Sequence, residues 1–169
     1  TEIHGKTWGI IGLGAIGRRV AEISRAFGAK VIYYSASGAP AQEGYEQVDF
    51  ETLLTQSDII SVHAPLNEHT EGLINSKAFE KMKSSCIFLN LGRGPIVDEQ
   101  ALYNALVRNQ IAAAGLDVLC EEPMSADNPL LKIKDSKRLL ITPHIAWASV
   151  EARTHLMEII HGQVKDFFA

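Results

Sequence analysis

Short apolar runs recur along the chain, each closed by Gly, Pro, Asp or Ser, with helical patterns between several of them. The first run, 8–11, leads through a glycine-rich turn into a helical pattern over 15–27. Further runs lie at 31–34, 59–62, 87–91, 112–118 and 139–141, and a short helix is expected over 51–56. Asp98 reads as the cap of a helix whose Leu102, Ala105 and Leu106 share one face. A last helix starts at Ser149, where Ala152, Leu156, Ile159, Ile160, Val164 and Phe167 are spaced for one buried stripe. Continuous apolar runs, as opposed to alternation, indicate strands covered on both faces, and helices interleaved with such strands give a parallel sheet. Right-handed crossovers then put helices on both faces. The pattern predicts a doubly wound α/β domain of about six strands over 1–169, with no internal repeat or linker dividing it.

Composition narrows the class. In 169 residues, apolar types make up 46% and charged types 21%, which excludes a disordered tail and a coiled coil. No apolar run is long enough to span a bilayer. The net charge of −4 comes with no basic cluster longer than Arg18-Arg19 or Lys137-Arg138, so neither a nucleic-acid nor a membrane partner is expected. The first residues lack both an initiator Met and a secretory layout, which leads us to expect an excised segment and a cytoplasmic setting. Cys86 and Cys120 make no disulfide framework, Cys86 reads as a small buried hydrophobe, and no His or Cys spacing suggests a metal.

Gly12-Leu13-Gly14-Ala15-Ile16-Gly17 matches GxGxxG between a predicted strand and a predicted helix, the context in which the pattern carries meaning. Gly12 permits the tight turn, Gly14 lets a pyrophosphate approach the backbone, and Gly17 allows close helix-to-strand packing. The alternative is a strand-to-helix turn with incidental glycines. At the end of the second strand an NAD site usually carries Asp or Glu for the ribose hydroxyls; Ser35 stands there instead. Losing that carboxylate removes the repulsion against a 2′-phosphate, yet no Arg or Lys lies in the loop to balance one. NAD and NADP both stay open.

Ligands of open parallel sheets bind beyond the carboxyl ends of the strands. Arg93, Glu122 and His144 follow the fourth, fifth and sixth runs. Together they suit hydride exchange at a 2-hydroxy/2-oxo acid. The Arg fork holds the carboxylate, the His exchanges the proton of the oxygen, and the Glu orients the ring. Taken singly, each has a plain structural reading: a surface or capping Arg, a solvated loop acid, a turn His.

The glycine turn, the stretch from Lys81-Met82-Lys83 to Gly92-Arg93-Gly94-Pro95-Ile96-Val97-Asp98-Glu99, Gly115-Leu116-Asp117-Val118 with Glu121-Glu122-Pro123, and Thr142-Pro143-His144-Ile145 resemble, in order, the nucleotide-binding domain of the D-isomer-specific 2-hydroxyacid dehydrogenases. The resemblance implies a Rossmann fold. It gives Arg93 the substrate and its carbonyl, Glu122 the pairing with histidine, and His144 the acid/base role. It further implies cofactor contacts at Ala15, Ile16, Ser35, His63, Ala64, Pro65, Thr70, Leu91, Gly92, Arg93, Asp117 and His144, with Asp117 meeting the nicotinamide carboxamide. Trp147 borders the pocket or packs in the core. The family inserts this domain into a substrate domain that these residues do not supply, so the fragment alone is expected to turn over poorly. A homodimer is implied as well. Two other classes stay in view: an NAD(H)-sensing corepressor-like protein on the same fold, and a methyltransferase that would need neither Arg93 nor His144.

Overall fold

Each apolar run becomes a strand of one parallel sheet in the computed structural model, which describes residues 2–168. The strands are β1 (Thr7–Ile11), β2 (Lys30–Tyr34), β3 (Glu46–Gln47), β4 (Ile59–Val62), β5 (Ile87–Asn90), β6 (Ala113–Leu116) and β7 (Leu139–Ile141). Their order in the sheet is β3-β2-β1-β4-β5-β6-β7. The chain therefore winds outward from β1 in one direction, returns, and winds outward in the other. That reversal leaves a crevice between the carboxyl ends of β1 and β4, where this architecture binds ligands.

The helices are α1 (Ala15–Ala26), α2 (Phe50–Gln56), α3 (Ser76–Lys81), α4 (Glu99–Val107) and α5 (Val150–Phe167). Small residues Gly17, Ala21 and Ser24 form the buried face of α1, which lets it lie close over Ile10, Val31 and Tyr33. The other sheet face buries Ile11, Ile60, Val62 and Phe88 beneath Leu53 and Leu54 of α2, Phe79 of α3 and Leu102 and Ala105 of α4. Asp98 caps α4 by accepting the Ala101 N–H, and Asn75 caps α3 in the same manner.

Three features depart from the sequence reading. A seventh strand, Glu46–Gln47, adds to the edge beside β2; two polar residues carry no apolar signal, and Tyr33 Oη bonding Gln47 Oε1 fixes the register instead. The strands are not all covered on both sides. Beyond β1 no described helix lies over the α1 side of the sheet, so Ile59, Ile87 and Leu89 are only partly buried and Leu140 is exposed. The expected buried stripe of α5 is likewise open: Leu156, Ile159, Ile160, Val164 and Phe167 are all exposed. Periodicity marks a face made for burial, and among the described residues nothing packs on it. No helix of the described residues is long and apolar enough to cross a membrane.

Candidate active site

The glycine turn sits at the crevice. Gly12 adopts φ +93°, and a Cβ there would come within 2.7 Å of the Ala64 backbone nitrogen in the turn after β4. A Cβ on Gly17 would strike the Gly12 carbonyl, which is the close helix-to-strand approach expected. Gly14, at the N-cap of α1, faces open space and carries no capping side chain, and no acid lies in the first turn. The helix start thus offers free N–H groups and the positive end of its dipole to an anion.

A cleft of about 270 Å³ joins Gly12, Gly14, Ser35, His63, Ala64, Pro65 and Thr70. Ser35 and Ser37 hydroxyls lie 3.2 Å apart on its rim. Gln42 bridges from the loop after β2 to the Leu13 carbonyl, closing one side. Thr70 is buried and braces its own loop, donating to the Pro65 carbonyl and accepting the Asn67 N–H. On the wall, Trp8 Nε1–H donates to Ser61 Oγ, which stands 3.1 Å from His63 Nε2 in a second hydrogen bond. His63 Nδ1 is buried and has no hydrogen-bond partner among the described residues. Burial pushes the His63 pKa down to about 4. Between pH 6.5 and 5 the unfolded chain binds a proton that the folded imidazole refuses, so stability falls as pH falls, by about 2 kcal/mol. Urea midpoints of wild type and His63→Gln are expected to converge across this window; a parallel fall in both would refute the assignment.

A second cleft, about 630 Å³, lies beyond β6 and β7 and is lined by Asp117, Glu122, Met124, Leu131, Thr142 and His144. His144 Nδ1 stands 2.8 Å from Glu122 Oε2, and Glu122 Oε1 accepts the Leu119 N–H. That amide, and then the imidazole, hold the Glu122 carboxyl below its ordinary pKa. An ionised carboxylate only accepts, so Nδ1–H donates and Nε2 points away from Glu122 on the other side of the ring. His144 itself has φ +54°, a costly conformation for a side-chain-bearing residue. Asp117 accounts for its survival. Burial opposes its ionisation, but the Thr142 hydroxyl and the Ala146 and Ile145 N–H groups outweigh that and hold its pKa low. Asp117 is thus the clamp on the His144 turn, with both oxygens already engaged there. Trp147 is half exposed and donates to the His144 carbonyl, so it braces this turn and does not pack in the core.

Arg93 lies between the two clefts, at the end of β5. It is exposed, and its guanidinium donates to the Gly92 carbonyl, with no bond to Glu122 or His144. Neighbouring parallel strands are about 4.8 Å apart, so β5 and β7 bring the Arg93 and His144 turns to one edge roughly 10 Å apart. Asn90, buried at the end of β5, shapes the Arg93 turn by accepting the Gly92 N–H and donating to the Arg93 carbonyl. Leu91 is exposed on that turn, as is Ile16 at the start of α1.

Residues 1–146 match the family model for the D-isomer specific 2-hydroxyacid dehydrogenase, NAD binding domain. The chain belongs to this family. Among curated relatives of this dehydrogenase domain is the hydroxypyruvate reductase of Blautia hydrogenotrophica, 45% identical over 98% of this chain and 51% of its own length. Among solved structures, an acyclic imino acid reductase in complex with NADPH and D-Arg is 40% identical with a TM-score of 0.90, over 99% of this chain and 52% of that one. A D-lactate dehydrogenase from Aquifex aeolicus, complexed with NAD and lactic acid, is 32% identical with a TM-score of 0.90, over 99% of this chain and 55% of that one. The chain spans about half the length of these relatives.

For a dehydrogenase domain, the open backbone at Gly14 and the unpartnered His63 Nδ1 on the wall of one cleft fit a dinucleotide. The sequence assigned no role to Asn90 or Gln42, and it marked Thr142 only as part of the motif that ends in His144 and Ile145. Thr142 precedes the Pro143-His144 pair and Asn90 ends an apolar run, and only the fold reveals what each bonds.

Proposed function

We propose that the whole protein reduces a small 2-oxo acid, of the hydroxypyruvate, glyoxylate or pyruvate type, to the D-2-hydroxy acid with NADH or NADPH. The observation that carries this reading is the His144–Glu122 pair, 2.8 Å apart at the carboxyl edge of a dinucleotide-binding sheet. A bound nicotinamide supplies the hydride. His144 Nε2 delivers the proton to the substrate oxygen, and takes it back in oxidation. Glu122 holds the ring in the Nδ1–H state and offsets the charge of the imidazolium. The Arg93 fork, released from the Gly92 carbonyl, holds the carboxylate and polarises the neighbouring carbonyl. First-turn amides at Ala15, Ile16 and Gly17, with the open Gly14, take the pyrophosphate. Ser35, His63, Ala64, Pro65 and Thr70 line the adenosine side, and Leu91, Gly92 and Asp117 the nicotinamide side.

The remaining half of the protein is proposed to supply the substrate domain, and the whole to form a homodimer, both on the family likeness. A cytosolic setting is supported by the two free cysteines. The test is a full-length assay against a panel of 2-oxo acids with both reduced cofactors, each with and without added amine. Turnover only with amine favours the one second reading with support, imine reduction as in the NADPH-bound neighbour. Cofactor binding with no turnover anywhere favours the corepressor-like alternative.

Ser35 sets the cofactor test. Among the described residues no carboxylate lines the cleft beside it. Ser35→Asp is expected to shift the NADPH-to-NADH ratio of kcat/KM toward NADH by tenfold or more, about 1.4 kcal/mol, because the new charge repels a 2′-phosphate. An unchanged ratio would remove Ser35 from cofactor choice.

A further inference from the structure

The loop that carries Glu122 is tied at its base by a second carboxylate. Glu99 opens α4, next to the cap residue Asp98, which accepts the Ala101 N–H of the first helical turn. Its side chain leaves the helix instead. Oε1 accepts the Cys120 N–H at 2.8 Å, and Oε2 accepts Asn128 Nδ2–H at 2.7 Å. Asn128 is 8% exposed, and its Oδ1 accepts the Leu130 N–H, so its amide orientation is decided. One carboxylate therefore staples both ends of the 120–128 loop to the rigid start of a core helix. Cys120 adjoins Leu119, whose N–H holds Glu122 Oε1, and Glu122 Oε2 meets His144.

We propose that Glu99 is a positioning residue that sets the 119–122 turn so that Glu122 reaches the His144 imidazole. This rests on the reading of His144 and Glu122 as the acid/base pair. An acid that merely favoured the helix dipole would add a little stability and leave the rate and the His144 tautomer unchanged. The geometry assigns a different role, since both oxygens are spent on the loop and not on α4.

The test uses the full-length protein with Glu99→Ala, Glu99→Gln, Glu122→Ala and the Glu99→Ala/Glu122→Ala double variant. Glu99→Ala is expected to lose about tenfold in kcat, a fraction of the ~10²–10⁴ of positioned acid–base catalysis, with the cofactor KM unchanged. Glu99→Gln keeps one acceptor, so it should fall between wild type and Glu99→Ala. The acid limb of kcat/KM should rise, because Glu122 loses the Leu119 amide; Asp117 is the other charged group facing this pair. The double variant should be no slower than Glu122→Ala, since the two act through one contact. Imidazole ¹⁵N spectra supply a readout that needs no turnover: the His144 proton should leave Nδ1 in part in Glu99→Ala. If wild type reduces no 2-oxo acid, the functional reading fails while the spectra still decide on Glu99. Multiplying losses in the double variant, or a wild-type tautomer in Glu99→Ala whatever its melting temperature, would overturn the proposal.

Discussion

Replacing His144 by Gln in the full-length protein is expected to lower kcat about 10²–10⁴-fold, while the dissociation constants of NADH and NADPH stay within about threefold. The amide of Gln matches the reach of the ring and can still bond Glu122, but it cannot hand over a proton at neutral pH. The fold around it should persist. The turn at φ +54° is held by Asp117 through the Ile145 and Ala146 N–H groups, and neither contact involves the imidazole. The two clefts are separate, so cofactor affinity drawn from the glycine turn should be nearly indifferent to the change. Steady-state rates with a saturating 2-oxo acid, beside fluorescence titration of both cofactors, make the measurement. A variant retaining more than a tenth of wild-type kcat would remove His144 as the proton donor.

Gly94→Ala is expected to cost about 3 kcal/mol or more, read as a fall in the denaturant midpoint. A Cβ at Gly94 would meet the Leu119 carbonyl and the Cys120 nitrogen, which are backbone atoms that no rotamer change can move. The contact joins the Arg93 turn to the Glu122 loop, so kcat should fall along with stability. Gly14→Ala is the matched control. Its Cβ faces open space and its φ is −79°, so stability should stay within about 0.5 kcal/mol, in the range of ordinary surface changes. Cofactor affinity should drop instead, as the methyl occupies the space above the helix start. A stable Gly94→Ala, or a Gly14→Ala that melts early, would refute this division of labour.

Much of the architecture was legible from local pattern. β1, β2, β4, β5 and β7 are apolar runs whose identity survives any packing, and the caps Asp98 and Ser149 start α4 and α5 where expected. What local pattern left unread has a separate cause in each case. The two residues of β3 pair through backbone and a Tyr33–Gln47 bond, with no apolar content to announce them. Ser76–Lys81 is too short for its periodicity to stand out, and Asn75 defines it by capping alone. The α5 stripe was read correctly as apolar and wrongly as covered, because spacing specifies a face and not its occupant.

Residue order along the chain was enough to put Arg93, Glu122 and His144 after three successive strands, since parallel strands carry their carboxyl ends to one edge. It was also enough to mark the glycine turn. Which groups touch was decided only by tertiary contacts. The 2.8 Å His144–Glu122 bond, the engagement of Asp117 with the His144 turn, and the staple from Glu99 to Cys120 and Asn128 span 21 to 29 residues each. Hydrogen bonds act over about 3 Å, a distance that strand spacing and sequence motifs cannot resolve, so contact geometry emerges only once the loops have packed.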